Sequence, residues 1–326
     1  MTQTRRHFHR LAMATTMLGA VPAMAQERWP QRPLRIIVPY SPGASTDNVT
    51  RRMAQELSPR LGQTVIVENK TGAMGTIGMA EVARARPDGY TFLGMDSGFT
   101  ILPHLVRSTP FDTPRDFMPI AAYVFMPLSL VVNTASPYRT LQDLVDKARA
   151  EPGKLTFGSG GIGTFPQMAT DDLASRLGIT LMHVPFRGAS EAVQALLAGT
   201  IDLQIAAPAT VLGNVGPTGR LRMLAIGGAH RLPQLPDVPT FMEAGVRDFV
   251  LQSWIGLFAP RGTAQPVIDR LAREAVAIMN TPEIKAYAES IAAEPRVVVG
   301  DELTAMLSAD DDRWKGVIER VGLVPQ

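Results

Sequence analysis

The sequence predicts an α/β protein folded as two lobes, each a mostly parallel sheet flanked by helices, with two crossover strands as the hinge. Three observations predict it. Short apolar runs of strand type alternate with amphipathic runs of helix type along nearly the whole chain. Tight loops rich in Gly, Pro, Ser and Thr separate the two kinds of run. Two longer apolar strand regions, around 120–133 and 250–259, stand where a chain can cross from one lobe to the other and return. A length of 326 residues suits about two domains.

Strands are expected at 34–38, 64–68, 90–95, 120–125, 128–133, 155–158, 181–185, 201–205, 221–226 and 250–259. Each is short, apolar and bounded by turn residues. Helices are expected at 47–61, 76–85, 140–150, 164–177, 189–198, 239–244, 265–279, 282–291 and 301–321. Val49, Met53, Leu57 and Leu61 form one stripe at i+4 steps, and Val193, Leu196 and Leu197 form a shorter one. Gly62, Gly178 and Gly199 stand at C-terminal stops. Pro266 and Pro282 stand in first turns, where a missing N–H costs nothing. The run 117–132 is nearly all apolar but carries Pro119, Pro127 and Ser129, and it is shorter than a ~20-residue membrane span, so two buried strands are expected there.

Composition excludes several classes. There are no cysteines, hence no disulfide, thiolate metal site or thiol nucleophile. Arg5, Arg6 and Arg10 precede an apolar run, 11–22, and Ala23-Met24-Ala25 is an A-x-A cleavage signal. Residues 1–25 are therefore read as a signal peptide of twin-arginine type, with the mature chain starting at Gln26 and exported to the periplasm. His9 stands where that motif usually has Leu. Removing the leader leaves 29 basic against 30 acidic residues, which gives no electrostatic case for nucleic acid. His104, His183 and His230 are far apart and in no metal-ligand spacing, so no metal is expected. His183 reads as a buried, hydrogen-bonded side chain, and Asp310-Asp311-Asp312 as a solvated helix face.

Three loops could carry chemistry. In the first, Tyr40-Ser41-Pro42-Gly43-Ala44-Ser45-Thr46-Asp47, a strand ends and a helix begins, so unpaired backbone N–H groups and hydroxyls form an anion seat. Asp47 reads as the cap that holds the loop, since it would repel an anion. In the second, Gly158-Ser159-Gly160-Gly161-Ile162-Gly163-Thr164, the glycines satisfy G-x-G-x-x-G between a strand and a helix. The acid that should end the next strand to hold a ribose is missing; that strand ends His183-Val184-Pro185-Phe186-Arg187. The loop is thus read as a seat for a smaller anion, with an exported nucleotide-dependent oxidoreductase using Gly158–Gly163 as the alternative. The third, 69–76, is Gly-rich but lacks G-K-[ST] and is no P-loop. No G-x-S-x-G elbow exists, and no catalytic residue is assigned.

At these loops the sequence resembles the substrate-binding receptors of tripartite tricarboxylate transporters, the Bug family. The motifs occur in order along the mature chain: PYSPGASTDNVTRRMAQEL, ENKTGAMGTIGMAEVARARPDGYTFL, GSGGIGT, VPFRGASEAVQALLAGTIDL and GRLRMLAI…LPDVPTFMEAG, then SWIGLFAPRGT. The resemblance implies a two-lobed periplasmic binding protein fold that closes on a small carboxylate without catalysis or cofactor. Lobe 1 is then 26–124 plus 251–326, and lobe 2 is 125–250. Ligand contacts are expected from Tyr40, Ser41, Gly43, Ala44, Ser45, Thr46, Ser97, Ser159, Gly160, Gly161, Gly163 and Thr164. Met74, Phe99, Phe165, Phe186 and Ala207 are expected to line the cleft. The implied partners are a di- or tricarboxylate, acidic amino acid or aromatic acid, and the permease subunits of such a transporter, with the receptor itself a monomer. A receptor feeding a signalling system would have the same sequence. Ala44 stands where relatives usually have Gly, Gln167 where many have His, and Phe165 where small polar residues are frequent. Phe165 with Phe99 predicts a ligand with an apolar or aromatic portion.

Overall fold

The computed structural model describes residues 29–323; the leader and its cleavage site, read at 1–25, lie outside the described residues. The chain lays down β1 (Leu34–Val38), β2 (Val65–Asn69), β3 (Thr91–Asp96) and β4 (Phe117–Pro127), then β5 (Ser129–Asn133), β6 (Thr156–Ser159), β7 (Met182–Pro185), β8 (Leu203–Ala206) and β9 (Leu221–Ile226), and returns with β10 (Gln252–Pro260). The first sheet has the order β2-β1-β3-β10-β4 and the second β7-β6-β8-β5-β9. Both are mixed rather than mostly parallel. β1 runs parallel to β2 and β3, and β6 to β7 and β8. The strands nearest the crossover, β4 and β10 in one sheet and β5 and β9 in the other, pair antiparallel. A chain that leaves through β4 and comes back through β10 must run in opposite senses in the two.

The helices are α1 (Ser45–Leu61), α2 (Thr76–Ala83), α3 (Gly98–Leu105), α4 (Thr113–Asp116), α5 (Leu141–Ala150), α6 (Phe165–Leu177), α7 (Ala189–Ala198), α8 (Pro208–Val211), α9 (Gln265–Met279), α10 (Pro282–Ser290) and α11 (Gly300–Val321). The helix expected at 239–244 is a set of turns. Thr240 bridges to Ile226, and the segment closes on itself through Ala244 N–H to Thr240 O, 2.9 Å, before Gly245 turns it at φ +96°.

Strand alternation sorts the cores. On β10, Ile255, Leu257 and Ala259 face one way, onto Val49, Met53 and Leu57 of α1 and Leu271 and Ala275 of α9. Trp254 and Phe258 face the other way, with Met79, Phe99 and Leu303. In the second sheet, α5 and α6 cover one face and α7 the other. α11 spans both lobes: Leu303 lies in a first-lobe core, while Trp314, Val317 and Ile318 join the core of the second. Its far end is clasped by Asp172 of α6, which is fully buried and paired with Arg176, Arg313 and Arg320 at 3.1, 2.9 and 3.2 Å. The Asp310–Asp312 run is no solvated face either. Asp310 accepts the Trp254 indole N–H at 2.6 Å and Asp311 pairs with His104 at 2.9 Å, fastening α11 to β10 and α3.

The crossovers meet at one backbone ring. Leu128 N–H donates to Leu251 O (2.9 Å), Leu251 N–H to Gly227 O (2.8 Å), and Gly227 N–H to Leu128 O (2.8 Å). A β-carbon on Gly227 would lie 2.0 Å from Leu251 O, so only glycine lets the segments close to this distance. Among the described residues, no helix is long and apolar enough to cross a membrane.

Candidate functional site

The first loop leaves the carboxyl end of β1 and enters α1 with Ala44 at the N-cap, which makes no side-chain capping bond. Asp47 is the third helical residue rather than the cap. It reaches back to accept the Gly43 N–H at 2.9 Å, and Asn69 (2.8 Å) and Arg51 (3.0 Å) hold it from the sides. Burial pushes its carboxyl up, but Arg51, the Gly43 N–H and Asn69 outweigh that and leave it below the ordinary value. Gly43 sits at φ +83°, where a β-carbon would be strained although the space is open. The Ser45 and Thr46 N–H groups have no acceptor one turn back, as at every helix start, and Ser41 and Ser45 are exposed beside them.

The second loop is built the same way. It leaves β6 and enters α6 with Thr164 at the N-cap, and Gly163, at φ +78°, donates its N–H to Gln167 Oε1 at 2.6 Å. Gln167 is the third helical residue, as Asp47 is in α1, and it is buried. Asp171 backs it, accepting Gln167 Nε2 at 3.3 Å; burial pushes the Asp171 carboxyl up to about 6. Ser159 is fully buried, bonded to His183 Nε2 (2.7 Å) and to Gly161 O (2.9 Å), so its hydroxyl shapes the loop from below. His183 stacks on Phe157, and burial lowers its pKa. Gly160 packs on the start of α7, where a β-carbon would lie 3.0 Å from Ala189 N. Thr164 Oγ1 closes on Gly161 O at 2.8 Å.

The lobes touch at these loops. A β-carbon on Gly163 would lie 2.9 Å from Leu105 Cδ1 and 3.2 Å from Met74 Cε, both carried by first-lobe segments. Met74 is exposed and rides a left-handed run: Gly72, Ala73, Met74 and Gly75 have φ of +122°, +46°, +56° and +97°. Non-glycine residues held there store strain at the edge of the site. Phe186 packs under Gly158, and its N–H donates to Ser159 O at 3.0 Å. Ala207 is the N-cap of α8 and packs against the second-lobe core.

Several expected contacts are spent elsewhere. Ser97 is buried and accepts the Trp254 N–H at 3.0 Å, holding β10 instead of facing a ligand. Phe99 stacks on Phe258 with centroids 4.0 Å apart, in the first-lobe core. Phe165 packs edge-on against Trp314, 5.1 Å away. The two rings belong to different cores and form no aromatic wall. Phe99 instead borders a cavity of about 1260 Å³, an outer groove between α9, α11 and β4.

The residue that sequence reasoning missed is Asp96, the last of β3. It accepts the Tyr40 hydroxyl (2.8 Å), the Gly98 N–H (2.9 Å) and the Thr46 hydroxyl (2.9 Å), so both of these expected ligand side chains are committed to it. Burial raises the Asp96 carboxyl, and burial beside Asp96 raises the Tyr40 phenol. The signal was its place at the carboxyl end of a strand, where α/β crevices open. No group of three or more His, Asp or Glu among the described residues could hold a metal ion.

Two α/β lobes joined by crossover strands, each opening on a glycine loop at a helix start, define a two-lobed periplasmic binding protein. The chain belongs to the tripartite tricarboxylate transporter family of receptors, whose model matches residues 49–323. It is 34% identical over 315 residues to a UPF0065 protein of Pseudomonas sp. strain P51 encoded between tcbD and tcbE, covering 96% of this chain and 93% of that one. Among solved structures it resembles Rpa4515 of R. palustris with adipate, at TM-score 0.80 and 29% identity, covering 91% of this chain and all of that one. It also resembles MatC of Rhodopseudomonas palustris with bound malate, at TM-score 0.73 and 28% identity, covering 89% and 99%.

Proposed function

We propose that this chain is a periplasmic receptor that captures a small carboxylate between its lobes and presents it to the membrane permease of a tripartite tricarboxylate transporter. The observation that carries the reading is the paired construction of the two loops. Gly43 closes on Asp47 and Gly163 on Gln167, each four residues on and the third residue of its helix, so two helix N-termini face outward, α1 with the Ser45 and Thr46 N–H groups and α6 with that of Phe165, Pro166 having none. Each such terminus stabilises an anion by about 0.3–1 kcal/mol, up to ~2 when partly buried, and charge-assisted N–H bonds add to this. Useful affinity then needs no arginine. The bound adipate and malate of the two structural relatives are chemistry of this kind.

In this reading the ligand is held by the Ser41 and Ser45 hydroxyls and the Ser45 and Thr46 N–H groups on one side and by the Gly160 N–H on the other, while Gly43, Ala44, Gly161, Gly163 and Thr164, whose own donors close the loops, border the ligand and shape the two seats. Tyr40, Ser97, Ser159 and Asp47 position those groups. Met74, Phe186 and Ala207 border the cleft, and the lobes divide at about 125 and 251. Ligand favours the closed state, and the closed state is the one the permease accepts. Thermal unfolding against a panel of di-, tri- and aromatic carboxylates tests the reading. A rise of several degrees with at least one acid is expected; a panel that leaves the unfolding temperature unmoved, with calorimetry equally silent, overturns it. Crosslinking of ligand-loaded receptor to the permease subunits tests the second half.

A further inference from the structure

α11 passes from one lobe to the other at its middle. On the first-lobe side, Asp310 accepts the Trp254 indole N–H of β10 at 2.6 Å, and Asp311 Oδ1 meets His104 Nε2 of α3 at 2.9 Å. On the second-lobe side, Arg313 reaches Asp172 of α6 at 2.9 Å and the Val250 carbonyl at 2.9 Å, and Arg320 reaches Asp172 at 3.2 Å. The hold changes lobes between Asp311 and Arg313, and α11 runs unbroken through that point with neither Pro nor Gly to kink it. The crossover strands can take up a rotation between the lobes, but two residues of continuous helix cannot. When the lobes part, one of the two fastenings must give.

The fastenings are unequal. Asp172 is fully buried and takes three guanidinium groups, that of Arg176 on its own helix among them. Pulling it apart leaves a buried charge short of partners. The His104–Asp311 contact is half-exposed on the Asp311 side, so water can replace it. Asp310 loses the Trp254 N–H on release but keeps the charge of Arg313 near it. Trp314 is buried in the core that also holds Ile101 and Leu105 of α3, and its indole N–H has no partner, which penalises this packing and favours its release. Leu303 lies in a first-lobe core, about 12 Å along the helix from Asp311. A tilt of ~15° about that end moves Asp311 by about 3 Å, enough to break both first-lobe bonds.

We propose that α11 is a strap across the hinge: it stays clamped to the second lobe at Asp172 and lets go of the first at Asp310 and Asp311, and the strength of that first-lobe hold sets how far the empty receptor opens. The proposal rests on the two-lobed hinge of the receptor reading and adds what holds the lobes together before a ligand arrives. Ligand and strap act on one equilibrium, so a weaker strap lowers affinity without touching either loop.

The chain has no cysteine, so Gln55→Cys on the first lobe and Lys154→Cys on the second, both exposed, carry a spin-label pair with no competing site. Double electron–electron resonance on ligand-free protein then reads the distance between the lobes. Wild type should show a major population at short distance. His104→Ala and Asp311→Ala should each raise the ratio of long-distance to short-distance molecules about fivefold, and the two together no further than either alone. His104→Gln keeps a donor and should stay within about twofold of wild type. Arg320→Ala, on the clamp, should lower the unfolding temperature and leave the ratio within about twofold. If His104→Ala does not fold, the half-exposed Asp311→Ala decides alone. Unchanged distances in both first-lobe variants, or equal opening in Arg320→Ala, overturn the proposal. A ligand-free wild type found wholly at the long distance overturns it too, since nothing is then held. None of these measurements needs a carboxylate, so a receptor that binds no acid overturns the proposed function and leaves the strap to be judged on its own distances.

Discussion

The Gly163 N–H donates to Gln167 Oε1 at 2.6 Å, and this one bond ties the second-lobe loop to the helix that it opens. Gln167 is buried, so removing its acceptor leaves an N–H without a partner at a cost of about 1–3 kcal/mol. Gln167→Leu, similar in size, should lower the unfolding temperature by several degrees and weaken carboxylate binding about tenfold. Gln167→Glu keeps the acceptor and should fold well, yet bind weakly, because it adds an anion beside the seat. Calorimetry and thermal unfolding of both variants separate the two effects.

Gly163 itself tolerates no side chain. At φ +78° an alanine costs about 1–2 kcal/mol, and its β-carbon would press on Leu105 and Met74 of the opposite lobe. Gly163→Ala should therefore oppose closure as well as strain the loop. Small-angle scattering with saturating ligand should show a larger radius than wild type. Adding Met74→Ala should restore part of the closure while the backbone strain remains.

Most helices and strands were legible because their signals are local; α3, α4 and α8 were not, being one or two turns long. The stripe Val49, Met53, Leu57 and Leu61 needs only its own 17-residue helix, and 221–226, 189–198 and 265–279 begin and end where the pattern does. Strand direction is not a local property, so the antiparallel strands at the crossover were missed. The glycine loops were legible as anion seats, but the fate of individual side chains was not. Tyr40 meets Asp96 56 residues later, and Ser97 meets Trp254 157 residues later. Nothing near Ser97 in the chain says that its hydroxyl will be taken by a backbone N–H of β10. Phe99 and Phe165 read as cleft aromatics because an apolar ring signals burial without saying against what.

Asp171 makes stability depend on pH in a defined window. Its folded carboxyl is raised to about 6 by burial, above the ordinary 3.8. A carboxyl raised on folding penalises the folded state when both states are ionised, above about pH 6. The penalty shrinks as the folded protein takes up a proton below pH 6 and is gone by about pH 4. Asp171→Asn keeps an oxygen for Gln167 and removes the charge. It should be more stable than wild type at pH 8, by less at pH 5, and equal near pH 4, as read from urea unfolding at each pH. Asp47 acts in the opposite sense: its lowered carboxyl contributes stability above the ordinary carboxylate range that is lost as pH falls through its folded value. Asp47→Asn should thus be destabilised at pH 8 and approach wild type in acid.

Gly227 completes the backbone ring between the lobes, and its missing side chain is what allows the ring to form. A β-carbon there would stand 2.0 Å from Leu251 O and 2.7 Å from Leu251 Cβ. Gly227→Ala must push the Leu251 carbonyl away, which breaks its bond from Leu128 N–H (2.9 Å in the native ring). Overpacking of about 1–3 kcal/mol and one lost backbone bond of about 1 kcal/mol together predict a loss of roughly 2–4 kcal/mol in urea unfolding. Gly213 is the control: nothing lies within 4 Å of its β-carbon position and its φ is not in the left-handed region, so Gly213→Ala should stay within about 0.5 kcal/mol of wild type. Because the ring joins both crossovers, Gly227→Ala should also shift the balance of open and closed forms. Its affinity for carboxylate should change even though it lies in neither loop, whereas equal affinity would mean that the ring holds the lobes together without setting how they close.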